Sequence, residues 1–284
     1  MAAVFVTGAT GTVGSAVVAQ LAAADQQVIA AVRRPGLRSW PEGVSERRFD
    51  FEYPQTHLEE VLDGVDRLFL LRPPAIADVA TRLFPLVDAA ARVGIRQVVF
   101  LSLQGVQANR ATPHHAVETH LRQLQAPFTF LRPNFFMQNL ITAYGRAIRD
   151  EGRIFVPAGR SRTAFIDARD LGRVAASVFT QDGHLGRAYT LSGEQSLSYD
   201  GVARIMTEVL GRPISYARPT EDHYLDRLRS QGAPADYVEV QRMIHRVVRL
   251  NMSALPNKAV RRLTGTPATT LRQFVIDHRD SWNR

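Results

Sequence analysis

The chain has 284 residues, 45% hydrophobic and 22% charged, enough for one large domain with a small companion. It contains no cysteine, which excludes disulfides, thiolate catalysis and cysteine-ligated metal or iron–sulfur sites. The formal charge is +8, and of 35 basic residues only Lys258 is a lysine. The basic excess sits in the second half without forming a run, so no nucleic-acid partner is expected. Its densest cluster, Arg242, Arg246 and Arg249, has helical spacing and reads as the solvated face of an amphipathic helix. No stretch approaches the roughly 18 apolar residues of a membrane span, and no charged leader region follows Met1, so a cytoplasmic chain without membrane association is expected.

Strand-like apolar runs alternate with helical segments from the start. Ala2–Thr7 reads as a buried strand, Val13–Ala24 as a helix and Val28–Val32 as a second strand. A third strand lies near Arg47–Phe51, followed by a short helix over Leu58–Leu62 and a strand over Arg67–Leu71. A helix over Ile76–Val93 leads to strand Gln97–Leu101, and one over Ala116–Leu124 leads to strand Phe128–Leu131. Six strands by residue 131 predict an α/β chain with a Rossmann-like, doubly wound parallel sheet over residues 1–132. Residues 133–284 are expected to form a smaller, mostly helical substrate lobe, partly interleaved with the first through strands near 153–156 and 187–191. Within it, Phe135–Arg149, Asp170–Thr180 and Ser198–Leu210 read as helices.

Gly8, Thr10, Gly11, Thr12, Val13 and Gly14 lie between the first strand and first helix, where a dinucleotide-binding loop belongs. Glycines there permit a tight turn and close backbone approach to a pyrophosphate, and the helix N-terminus supplies N–H donors. NAD-specific sheets place an acid near the end of the second strand to hold the ribose hydroxyls. Here no acid lies between Asp25 and Glu42, whereas Arg33, Arg34 and Arg38 do. Guanidinium groups suit a 2′-phosphate in charge and geometry, so NADP(H) is expected over NAD(H).

Several segments together resemble the NmrA-like branch of atypical short-chain dehydrogenases/reductases. They are Thr7–Gly14, Ala31–Pro35, Val117–Glu118 before Leu131–Asn139, Ala164–Leu171, Gly186–Gly193 and Leu263–Pro267. Within the branch the chain is most similar to type 2 quinone oxidoreductases, azoreductase-like proteins and imine reductases of the ergot-alkaloid type. Most short-chain enzymes use a Tyr-x-x-x-Lys pair to pass a proton to a carbonyl oxygen. The only lysine here is preceded four residues earlier by Ala254, so the pair is absent. Aligned on Glu118, the family's lysine position falls on His114. The resemblance therefore implies hydride transfer from NADPH to an electron-poor conjugated acceptor, a quinone, azo compound or imine, that needs no strong acid. The alternative is a non-catalytic NADP(H)-sensing regulator.

Ligands of doubly wound sheets sit beyond the carboxyl ends of the strands, where the order reverses. Leu71, Arg72, Ser102, Gln104, Pro133 and Asn134 follow strands there, and the resemblance adds Asp50 and Phe51 as adenine contacts. Phe135, Phe136 and Met137 are expected to wall a slot for a small aromatic or heterocyclic substrate, together with Gln104 and Asn134. His114 is read as the catalytic-side residue, bonding the nicotinamide ribose or shuttling a proton, and His115 as a surface residue. Asp170 is read as a helix cap. No metal site is expected, and homodimerisation is left open. NADPH should bind more tightly than NADH, with Arg33→Ala narrowing the difference; calorimetric titration of both nucleotides checks this.

Overall fold

A computed structural model describes residues 3–52 and 55–283. In chain order the regular elements are β1 (Ala3–Val6), α1 (Thr12–Ala23), β2 (Val28–Val32), β3 (Val44–Arg48), α2 (Leu58–Val61), β4 (Val65–Leu71), α3 (Val79–Arg82), α4 (Phe84–Arg92), β5 (Gln97–Leu101), α5 (Pro113–Gln123) and β6 (Phe128–Pro133). There follow α6 (Gly145–Glu151), β7 (Arg153–Ile154), β8 (Arg162–Thr163), α7 (Ala168–Thr180), β9 (Arg187–Leu191), β10 (Leu197–Ser198), α8 (Tyr199–Leu210), β11 (Ser215–Tyr216), α9 (Glu221–Ser230), α10 (Ala235–Arg249), α11 (Ala259–Thr264) and α12 (Leu271–Asp277).

The chain divides into two compact units. One runs to Pro133 and takes in Ala168–Leu191 and Ala259–Thr266; the other comprises Asn134–Asp167, Ser192–Lys258 and the segment from Pro267 onward. The first unit holds a seven-stranded, wholly parallel sheet in the order β3-β2-β1-β4-β5-β6-β9. This is the expected Rossmann-like architecture, its order reversing between β1 and β4. Strands β1, β2 and β5 are buried at every position, as a parallel sheet covered on both faces requires. Phe5, Leu68, Phe100 and Phe130 anchor the core beneath α2 to α5. On the other side α1 packs against α7. Gly172 makes that approach possible, since a Cβ there would lie 2.5 Å from the Ala16 carbonyl oxygen.

Several boundaries differ from expectation for local physical reasons. The third strand is Val44–Arg48, earlier than the apolar pair suggests, because an edge strand pairs on one side only and shows no buried run. Phe49 and Phe51 instead pack beyond its end, edge-to-face with ring centroids 5.1 Å apart. The helix expected over Ile76–Val93 is two, with Pro85 starting the second in the first turn, where a missing N–H is tolerated. The span Phe135–Arg149 is a 3₁₀ turn over Met137–Leu140 followed by α6, not one helix. Ala2, placed in the first strand by the sequence reading, lies outside the described residues.

The second unit is mainly helical, with two-stranded pairings of β7 with β11 and β8 with β10. Its core gathers Ile148, Met206, Phe274 and Trp282, whose indole N–H donates to the Leu140 carbonyl at 2.9 Å. Arg242, Arg246 and Arg249 are not merely solvated: all three approach Glu221 at the start of α9, at 3.9, 3.4 and 3.2 Å. Among the described residues no helix is long and apolar enough to cross a membrane, and no group of three potential metal ligands forms. Gly172→Ala should force α7 away from α1 and destabilise the protein by about 2 kcal/mol, within the usual range for overpacking, measurable by urea denaturation.

Candidate functional site

The loop after β1 is built by backbone constraint. Gly8 sits at φ +62, in the left-handed region, and its carbonyl accepts the Gly11 N–H at 2.9 Å. A Cβ on Gly14 would lie 2.1 Å from that same carbonyl oxygen, so only glycine lets α1 start this close to β1. Gly11 precedes α1 in an extended conformation and caps it with no side chain. The first N–H groups of the helix, around exposed Thr12, therefore keep their capacity for an anion. Val13 is buried and anchors this turn. Beside it, the Leu71 N–H donates to the Thr7 hydroxyl at 2.8 Å, drawing the end of β4 against the loop.

At the end of β2, Arg33, Arg34 and Arg38 are exposed and form no ion pair with any described residue. Elsewhere in the chain many arginines pair with carboxylates, Arg92 with Glu59 and Arg122 with Glu118 among them. Asp50, beyond β3, accepts the Glu52 N–H at 2.8 Å, and the neighbouring Phe51 meets Phe49 edge-to-face.

Beyond β5 and β6 a buried carboxylate organises the site. Glu118 on α5 is 1% exposed and accepts from the Ser102 hydroxyl at 2.7 Å. Arg132 on β6 binds it in bidentate fashion at 2.9 and 2.6 Å, and Arg122 adds a contact at 3.0 Å. Burial pushes the Glu118 carboxyl up, but hydrogen bonds from Arg132 and Ser102 and the charges of Arg132 and Arg122 outweigh it and leave the group below the ordinary carboxylate range. One turn earlier, His114 lies beside Arg72, whose Nε is 3.5 Å from His114 Nε2. Burial, reinforced by the Arg72 charge, lowers the His114 pKa to about 4 despite Glu118. Burial and Arg72 thus hold His114 in its neutral form near pH 7. With Nε2 facing a donor, the ring proton belongs on Nδ1, leaving a hydrogen-bond donor. Arg72 also donates to the carbonyls of Pro73, Pro74 and Ile76, fixing the turn after β4.

Such a glycine turn, followed by unpaired arginines at the end of β2, is what a phosphorylated dinucleotide requires. A family model described as the NmrA-like family matches residues 2–254. The chain belongs to the NmrA-like family. It is 31% identical to the NAD(P)H azoreductase of Xenophilus azovorans, covering 97% of each chain. It is 30% identical to the agroclavine dehydrogenase of Claviceps fusiformis over 79% of this chain and 78% of that one. Among solved structures, the NADPH-dependent quinone oxidoreductase QOR2 of Escherichia coli, complexed with NADPH, superposes with a TM-score of 0.86 at 24% identity, covering 99% of this chain and 100% of that one.

The remaining residues singled out in this NmrA-like chain divide between the two units. In the first, Pro133 closes β6 and its carbonyl accepts the Gln104 N–H at 3.0 Å, joining the turns after β5 and β6. In the second, Asn134 is buried and already engaged, donating to the Ser253 carbonyl at 2.9 Å and accepting the Phe135 N–H at 2.8 Å. Met137 is core, Phe135 packs on that core, and Phe136 bridges to Ile166. His115 is partly buried with its Nδ1 unpartnered among the described residues, correcting the surface reading. Asp170 lies in the first turn of α7, fully buried, and takes an ion pair from Arg173 at 2.5 Å.

The Glu118 network was missed as a network. Ser102 and Arg132 lie 16 and 14 residues from Glu118 in sequence with no local spacing to mark them; only Arg122, four residues on along α5, sits at a helical offset from it. A depressed histidine pKa means that the unfolded chain takes up a proton the folded one refuses. Stability held by a neutral His114 is therefore full above about pH 6.5 and lost as pH falls toward 4. In urea denaturation between pH 7 and pH 4.5, His114→Asn should show a shallower loss of stability than the native chain, by about one proton.

Proposed function

We propose that this protein is an NADPH-dependent oxidoreductase that transfers hydride to an electron-poor conjugated acceptor, a quinone, an azo compound or an imine, without a Tyr-Lys pair. The observation that carries the reading is the phosphate cradle: a glycine turn whose helix has no side-chain cap, with the unpaired Arg33 and Arg34 at the end of the neighbouring strand. The azoreductase and dehydrogenase relatives support an oxidoreductase of this kind.

When bound, NADPH supplies the hydride. The N–H groups at Thr12, Val13 and Gly14 receive the pyrophosphate, and Gly8 and Gly11 let the backbone approach it. Arg33 and Arg34 take the 2′-phosphate, and Asp50 and Phe51 border the adenine. Leu71, Arg72, Ser102 and Pro133 form the rim beyond β4, β5 and β6. His114, neutral and donating from Nδ1, holds a ribose hydroxyl and so orients the ring without giving up its proton. Gln104, Asn134, Phe135, Phe136 and Met137 are assigned to the acceptor side, Asn134 and Met137 as support, since their side chains are already committed to the fold.

Reduction of an unactivated ketone needs a donor for the developing alkoxide. A reduced quinone spreads its negative charge over an aromatic ring, and a reduced iminium ion is a neutral amine, so both dispense with that donor. The chemistry then rests on orientation and contact of donor and acceptor. Incubation with NADPH should turn over a naphthoquinone, an azo dye or a cyclic imine, followed by loss of nicotinamide absorbance, and leave cyclohexanone unreduced. Tight NADPH binding with no turnover across that panel would favour the regulatory reading instead.

A further inference from the structure

The three unpaired arginines at the end of β2 do not stand on a loose loop. Gly36 turns it with φ +80. Glu46, in the middle of β3, then reaches across with both carboxylate oxygens. Oε2 accepts the Gly36 N–H at 2.5 Å and Oε1 accepts the Trp40 indole N–H at 2.5 Å. The indole bond, then the Gly36 bond, hold this carboxyl below its ordinary range. The Arg38 guanidinium in turn lies 4.8 Å from the centre of the Trp40 ring. One carboxylate thus fastens the loop at two points, and the ring it fixes supports a cation.

Both oxygens of Glu46 are spent on neutral donors, so it neutralises none of the three arginines through an ion pair. With the Glu46 carboxylate counted against three arginines, the loop still keeps a net positive charge, suited to a phosphate monoester carrying about two negative charges. A flexible loop would lose conformational freedom on gripping such a group; a fastened one has already lost it.

The geometry points to Glu46 as a positioning residue for cofactor discrimination: by stapling Gly36 and Trp40 it holds Arg38 as a third cation beside Arg33 and Arg34 for the 2′-phosphate of NADPH. This rests on the cofactor reading above. Glu46 itself does not meet the phosphate, whose charge it shares.

Calorimetric titration of the full chain with NADPH and NADH tests it. Glu46→Leu should raise the NADPH Kd about tenfold and leave the NADH Kd within twofold, the latter showing that the fold and the glycine turn are intact. Glu46→Gln, which keeps one acceptor oxygen, should fall between. Arg38→Ala should match Glu46→Leu, and the double variant should lose little more than either, because both remove one clamp. A native chain with no preference for NADPH would sink the cofactor reading. A native preference that survives Glu46→Leu, or a loss affecting both nucleotides equally, would overturn the staple alone.

Discussion

Glu118 ties α5 to the ends of two strands. Its carboxylate is sealed from solvent and met by a hydroxyl from beyond β5, a bidentate guanidinium from β6 and a second guanidinium from its own helix. Removing a charge of this kind from one side leaves the other buried and unpaired, typically at about 3–5 kcal/mol. The two arginines also lie over Phe130, at 4.8 and 5.9 Å from the ring centre, so the ionic node is continuous with the aromatic core of the sheet. Thr112 caps the same helix through the His115 N–H at 3.2 Å. Between cap and node, the first turn of α5 has little freedom, and His114 is placed there. Where the imidazole sits relative to the ends of β4 and β5 follows from a carboxylate one turn away.

The electrostatics of that turn set the character of the chemistry. Arg72 and burial both favour a neutral imidazole, and Glu118, whose charge would favour the protonated ring, is consumed by its own partners. The arrangement supplies hydrogen bonds and fixed positions. An acceptor of the proposed class, which stabilises its own product, would ask for little more.

How much was legible in the sequence depended on whether the signal was local. Gln97–Leu101 was found to the residue, since a buried parallel strand is a continuous apolar run; Arg187–Leu191 was also found to the residue although it is a largely exposed edge strand, its Tyr189 and Thr190 favouring extended backbone. The glycine turn was legible because its steric demands are confined to seven residues. Strand β3 was misplaced because at an edge its polar Ser45 to Arg48 look like loop. The two-residue strands of the second unit are shorter than any periodicity. The Glu118 node and the Glu46 staple both join residues across elements, and nothing in the order of the chain announces such meetings. Conversely, His114 was located from the family pattern, but its protonation state needed the neighbours that only the fold supplies.

The first unit is completed late. Its sheet takes β9 from residues 187–191, and α7 and α11 cover it from residues 168–180 and 259–264, so its segments are interrupted twice by stretches of the second unit. A nascent chain emerging from the ribosome cannot finish its nucleotide-binding half until Thr266 is out, by which point most of the other half has also been made. The two units must therefore mature together, and no single cut in the polypeptide yields either one whole. For an engineer or for evolution, the second unit has to change by substitution in place, because it cannot be lifted out and exchanged as one continuous cassette.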